Sequence, residues 1–274
     1  MRRIVGSRPL FIVIMSLLAM VYAFPLLWMA WSSFKTNREI FTSPLSLPAG
    51  IDWSTWAEAW RVGNLGRYAV NSTIVTSSAV LLILVVAALA AYAFSRFEFA
   101  GKGVLLGLFG LGLLMPLQSY FIAQNSLFEV LDLKDTRLAL IIPYAGMGLP
   151  LAIYLLKVYL DSLPRELFEA ARVDGSGDAR MFSSLVLPLL RPGLATVAIF
   201  SALNAWNEFL LALLYVTNDD LKTIPTGLLA FSSRYVTDYQ LLFSALTIVT
   251  LPMVAVYVMF HRQIVAGVIE GALK

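Results

Sequence analysis

The chain has 274 residues, 59% of them hydrophobic and 14% charged, with a formal net charge of +3. Soluble domains carry about 25% charged residues, so a mean hydropathy of +0.79 excludes an ordinary soluble protein. The chain has no cysteine, which removes disulfide frameworks and thiolate metal sites, and the small positive balance gives no reason to invoke nucleic acid.

Six apolar runs come near or exceed the roughly 20 residues of a membrane-spanning helix. They cover residues 10–31, 71–94, 103–125, 138–157, 193–216 and 241–260. The sequence therefore predicts an all-α integral membrane protein with six transmembrane helices in one domain, residues 1–274. The first run is longer than a signal-peptide core and is followed by no convincing small-residue cleavage site, so it reads as a retained span.

Pro25 lies inside the first span. Beyond it, Trp53, Trp56 and Trp60 recur at helical spacing and put three indoles on one face. That face has two readings, a membrane-interface anchor and a contact for a docking protein. The second span is rich in alanine, and the third carries Gly103, Gly107, Gly110 and Gly112. Small residues let membrane helices approach closely, so both read as bundle-facing. Met115, Pro116 and Gln118 interrupt the third span, and Pro143, Gly146, Gly148 and Pro150 interrupt the fourth. Irregular backbone at membrane depth lines wet cavities or is buried in protein, which points towards a translocation path.

Residues 161–192 form the longest charged interval, yet keep an apolar stripe at helical spacing: Leu163, Leu167, Ala170 and Ala171, then Phe182, Leu185 and Val186. A helix is predicted from Leu163 to Asp174. Ser162 is its expected cap, Pro164 sits in its first turn, and Gly175 stops it in the left-handed conformation. Glu166 and Glu169 suit its positive end, and Arg172 suits the other.

The fifth span holds the clearest polar intrusion, from Asn204 to Phe209. Glu208 is expected to face the bundle interior, sharing a helical face with Asn204 at i−4. It is either a solute or gating contact or a structural hydrogen-bonding knot. His261 is the only histidine and, without cysteine, supplies no zinc site. With the N-terminus inside, 12 of the 20 Lys and Arg residues fall on inner segments, which puts both termini and the 161–192 loop in the cytoplasm.

Glu169-Ala170-Ala171, three residues, Gly175, nine residues, Leu185, one residue and Leu187-Pro188 together resemble the EAA loop of ABC-importer permeases. Leu185 stands where the family pattern has Ile. Ser33-Phe34-Lys35, Asn71-Ser72, Met115-Pro116, Ile142-Pro143, the run from Trp206 to Leu210 and the tail from Gly267 to Lys274 resemble the carbohydrate-type permeases. The nearest type is the smaller permease of maltose-like importers.

The resemblance implies a prokaryotic cytoplasmic (inner) membrane location, a cytoplasmic EAA coupling loop between the fourth and fifth spans, and half of a heterodimeric pore for a sugar. It implies four kinds of partner: a second homologous permease, two ATPases, an extracytoplasmic solute-binding protein and membrane lipid. ATP and Mg belong to the ATPase partners, and this chain carries neither a cofactor nor an enzymatic activity of its own. No phosphate loop of the form G-x-x-x-x-G-K-[ST] occurs in it. ATPase coupling is expected at Glu169, Ala170, Ala171, Asp174 and Gly175 with Leu167 and Phe168. The path through the membrane is expected at Asn204, Asn207, Glu208 and Gln118. The alternatives are a permease for a non-sugar solute such as glycerol phosphate and a secondary transporter. A membrane enzyme lacks support, because the interior offers no metal cluster and no cysteine nucleophile.

Overall fold

The computed structural model describes residues 8–116, 119–232 and 237–272, so Gln118 lies outside the described residues. Among those described, the only extended pairing is an isolated bridge between Ser232 and Thr237. Helices α1 (Arg8–Ser32), α2 (Asn37–Thr42) and α3 (Ser54–Val62) lead into α4 (Leu65–Arg96). Next come α5 (Lys102–Leu114), α6 (Phe121–Val130), α7 (Leu138–Asp161) and α8 (Arg165–Val173). A run of α9 (Asp178–Met181), a π-helical turn (Phe182–Val186) and α10 (Leu187–Leu189) joins α11 (Arg191–Asn207). Helices α12 (Leu210–Tyr215), α13 (Ile224–Gly227) and α14 (Tyr239–Ala272) follow.

Helices α1, α4, α7 and the Tyr239–Met259 part of α14 are long and apolar enough to cross a membrane. The stretch from Asp178 to Leu189 with α11 adds a fifth crossing if that pair, bent by 71°, counts as one span. The third predicted span is not continuous. Helix α5 is 13 residues long, and Met115 leaves the helical region at φ −76°, ψ 118°. It precedes Pro116, whose ring disfavours helical backbone in the residue before it. The fourth span reads differently from expectation, since α7 runs through Pro143 and Pro150 without a break. Membrane helices tolerate such prolines where neighbours and side chains absorb the lost hydrogen bonds.

The chain forms two compact units, Met1–Gly66 with Gly227–Ala255 and Arg67–Thr226 with Val256–Lys274. In the first, Ala59, Leu65, Phe231 and Ala245 form the core, with Leu241, Leu242 and Ile248 packed on it. Lys35 is fully buried, and its ammonium donates to the carbonyls of Ser43 and Pro44 at 3.0 Å each. The three indoles expected on one open face are used inside this unit. Trp56 stacks on Phe34 at 5.5 Å and donates its ring N–H to Ser33 Oγ, Trp60 lies against Gly66 while remaining about half exposed, and Trp53, edge-on to Phe34 and Trp56, is the most exposed of the three.

In the second unit, Ile83, Ala87, Ala88 and Ala91 of α4 share a buried cluster with Ala152, Ile153, Leu156 and Leu160 of α7. Gly148 lets α7 approach that surface closely: a Cβ added there would sit 2.5 Å from Ile83 Cδ1. The alanine face of the second span is thus buried as its composition predicts. Glycines 103 and 107 of α5 instead face open space. A second cluster joins Val75, Phe128, Leu140, Tyr144, Leu211 and Tyr215.

The π turn has a covalent cause. Leu187 N–H donates to Phe182 O, five residues back, and the next residue, Pro188, has no N–H to offer Ser184 O.

Candidate functional site

Helix α8 begins two residues later than its sequence suggests. Ser162 does not cap it; its hydroxyl donates to Tyr159 O and closes the end of α7 instead. Pro164 occupies the cap position at φ −55°, ψ 135°, fixed there by its ring. The far end is as expected. Gly175 adopts φ +79°, Ser176 N–H donates to Ala171 O at 2.9 Å, and Gly175 N–H to Arg172 O at 3.0 Å. This pair of bonds satisfies carbonyls that the last turn would leave without partners.

One side chain anchors α8. Phe168 is buried, with the Arg96 guanidinium 3.4 Å above its ring centre. That contact combines apolar packing with attraction between a cation and the negative face of the ring. Ala171 packs at the edge of the same cluster. Everything else expected to couple points outward: Leu167, Glu169, Ala170, Asp174 and Gly175 are exposed. The buried stripe therefore passes through Phe168 and not Leu167, about 100° further round the helix than the sequence spacing indicated.

The second feature is a cavity of about 290 Å³ walled by α4, α7 and α11. Its polar wall consists of Tyr144, Ser201, Asn204 and Glu208, and its apolar wall includes Ile83, Met147 and Phe200. Helix α11 ends at Asn207, and Glu208 is extended at φ −68°, ψ 124°. Asn204 and Glu208 thus meet at the cavity without sharing a helical face. The amide groups of Asn204 and Asn207 donate back to Phe200 O and Leu203 O, and Asn207 does not line the cavity.

The Glu208 carboxylate is fully engaged. It accepts from Tyr144 Oη at 2.8 Å, from Leu211 N at 2.9 Å and from Ala212 N at 3.2 Å. A negative group at the start of α12 meets unpaired N–H groups and the positive end of the helix dipole. The other end of α12 is held by Asp135, which accepts from Thr217 N at 2.6 Å and Asn218 N at 2.8 Å, while its own N–H donates to Tyr215 O. The N–H groups of Asn218 and Thr217 and the Thr217 hydroxyl hold the Asp135 carboxyl below its ordinary range, against a smaller opposing effect of burial. Sequence reasoning missed Tyr144, Ser201 and Asp135. Asp135 sits among charges of both signs at residues 132–137, where nothing local marks it out, and Tyr144 carries no local signal of its partner 64 residues away.

The family described as "binding-protein-dependent transport system inner membrane component" matches residues 4–270. The chain belongs to this family. A diacetylchitobiose uptake system permease protein, NgcG, of Streptomyces coelicolor is 39% identical over 91% of this chain and 83% of its own. A trehalose/maltose transport system permease protein, MalG, of Thermococcus litoralis is 34% identical over 100% of this chain and 99% of its own. A crystal structure of a bacterial ABC transporter involved in the import of the acidic polysaccharide alginate superposes with a TM-score of 0.81. It shares 19% identity and covers 94% of this chain and 97% of its own, which establishes a common fold. As an inner membrane component of such a system, the chain is a transport subunit with apolar membrane-crossing helices.

Proposed function

We propose that this permease forms half of the pore of an ATP-driven sugar importer, a single permease domain over residues 1–274. A second homologous permease supplies the other half, two separate ATPases bind ATP and Mg, and an extracytoplasmic solute-binding protein delivers a di- or oligosaccharide. The relatives named for diacetylchitobiose and for trehalose and maltose support the solute class. Six spans are assigned by pairing the broken segments: α5 with α6 as the third, and α11 with α12 as the fifth. Both termini and the 161–192 loop face the cytoplasm of a prokaryotic inner membrane.

The observation that carries the reading is α8, a short helix held to its own bundle by Phe168 and stopped by Gly175, with Glu169 and Ala170 open to a partner. Its exposed face, with Leu167, Asp174 and Gly175, docks on an ATPase. Nucleotide-driven closure of the ATPase pair moves the helix, and the π turn and α11 carry that motion to the cavity. The solute shifts the equilibrium only through contacts that differ between the two states. At the cavity, Ser201 and Asn204 meet the solute, while Glu208 keeps α12 in place.

Replacing Gly175 with Val tests this directly. Within this chain an added side chain there meets open space, so the fold feels only the left-handed backbone, at about 1–3 kcal/mol for a β-branched residue. Uptake of labelled sugar by cells carrying Gly175→Val falls to background while the protein stays in the membrane fraction. Unimpaired uptake removes the coupling assignment. A cysteine placed at Ser176 reacts only with reagents that enter the cytoplasm; labelling from outside intact cells overturns the orientation.

A further inference from the structure

The wall of the cavity between α4, α7 and α11 differs in chemistry from one side chain to the next. Ser201 and Asn204 lie three residues apart on α11 and share a face of that helix. Ser201 is only 8% exposed, lines the cavity, and makes no hydrogen bond among the described residues. Gly148 keeps its hydroxyl uncovered, since a Cβ added there would stand 3.7 Å from Ser201 Oγ. Asn204 spends one amide N–H on Phe200 O at 2.9 Å, which leaves its second N–H and its side-chain oxygen for a ligand. Each residue can donate and accept, which is what neighbouring hydroxyls of a sugar ring require. Met147, Leu151 and Ile83 make the wall apolar elsewhere and suit the C–H face of such a ring.

Charge is distributed one-sidedly. Among the described residues of this wall, Glu208 is the one ionisable acid, and no lysine or arginine stands with it. Its carboxylate accepts from Tyr144 Oη, Leu211 N and Ala212 N, all neutral donors. Such bonds stabilise a carboxylate without cancelling its charge. A solute bearing phosphate or carboxylate would bring a second negative charge to the same wall, with no cation there to receive it.

We propose that the cavity takes an uncharged sugar ring through Ser201 and Asn204, and that Glu208 is the specificity residue that turns away anionic solutes. Glu208 acts on the solute through its field and needs no contact with it, so this role is compatible with its hold on α12. The inference rests on the chain being half of a sugar pore and narrows the solute class. Phosphorylated solutes such as glycerol phosphate are excluded by it.

The test uses the complex of both permeases with their ATPases, purified without the solute-binding protein, so that only the pore selects. Binding is measured by saturation-transfer NMR for maltose, trehalose and diacetylchitobiose, for each sugar oxidised to a carboxylate at C6, and for glycerol phosphate. The carboxylate form is expected to bind roughly 30-fold more weakly than its neutral parent, the penalty for like charges about 8 Å apart in a protein. Glu208→Gln keeps an acceptor oxygen and removes the charge, so the ratio falls to within about threefold. This ratio does not depend on how much of the complex is folded, and a purely structural role for Glu208 leaves it unmoved. Ser201→Ala weakens the neutral sugar about fivefold, the loss of one hydrogen bond, and leaves the ratio as it was. Equal binding of a sugar and its carboxylate by the wild type, or an unchanged ratio in Glu208→Gln, overturns the charge assignment and leaves the sugar reading standing. Unaltered sugar affinity in Ser201→Ala overturns the hydroxyl contact. Binding of none of the neutral sugars overturns the proposal, and if glycerol phosphate binds in their place the sugar reading falls with it.

Discussion

Two apolar segments of this permease break, and they break for different reasons. After Leu114 the break follows from one covalent fact, a proline at 116 that pushes Met115 out of helical backbone. At Glu208 no proline is present. The chain turns because a carboxylate is worth more at the start of α12 and against Tyr144 than it would be in a continuous helix. The first kind of break is local and inexpensive to hold. The second is a tertiary arrangement, and it fails when any member is removed. Helix α12 is only six residues long, too short to be stable alone, so its ends must be secured from outside. Glu208 does so at one end and Asp135 at the other.

The largest expected effect is at Glu208. Glu208→Leu strands two backbone N–H groups and the Tyr144 hydroxyl, costing ~3 kcal/mol or more. The purified complex melts at a markedly lower temperature, and uptake falls with it. Glu208→Gln retains an acceptor oxygen and loses less. A Glu208→Leu variant with wild-type melting and transport contradicts the account of this break.

Tyr144→Phe removes a single hydrogen bond, about 1 kcal/mol. Combined with Glu208→Gln it is less than additive, because both changes disturb the same contact. Strict additivity in a double-mutant cycle separates the two residues.

Pro116→Ala changes stability by no more than about 1 kcal/mol, since it relieves a constraint and breaks no tertiary contact. It also introduces an N–H at 116 whose hydrogen exchange is measurable. Slow exchange there signals extension of α5 past Leu114. Fast exchange assigns the break to something other than the proline.

The smallest effect is at Asp135, and it is a pH effect. Its carboxyl lies below the ordinary value of 3.8 in the folded protein, so the charged form stabilises the fold. That contribution is complete above the ordinary value and is lost as pH falls through the lower folded value. Asp135→Asn flattens this acid limb of the stability profile. An unchanged limb rules out Asp135 as its source.

Much of the second unit was legible because its signals are local. Gly175 ends a helix with no help from elsewhere, and Ala87, Ala88 and Ala91 mark a close-packed face wherever they fall in a bundle. What could not be read depends on partners distant in sequence. The α8 stripe was placed on Leu167 because spacing gives a periodicity but not a phase, and the phase is set by Arg96, which waits beneath Phe168 at the end of another helix. Glu208 looked like a member of a helical face until its hydrogen bonds to Tyr144 and the α12 backbone gave it a better place. The indoles of Trp56 and Trp60 read as an anchor or docking face because nothing local shows Phe34 or Gly66 beside them. In a membrane chain, apolar exposure is an unreliable guide as well. The leucines of α1 are open in this structure, and lipid is as good a neighbour for them as protein.

The π turn before Pro188 has a bearing on chain length. Between Met181 and Leu187 the backbone carries one residue more than an ordinary helical coil of the same span requires. Excising a single residue there removes the surplus while its two flanks keep their mutual alignment, although Pro188 still withholds one hydrogen bond from the coil. Orthologues that are shorter by one amino acid can absorb the deletion at this point without rebuilding the bundle around it.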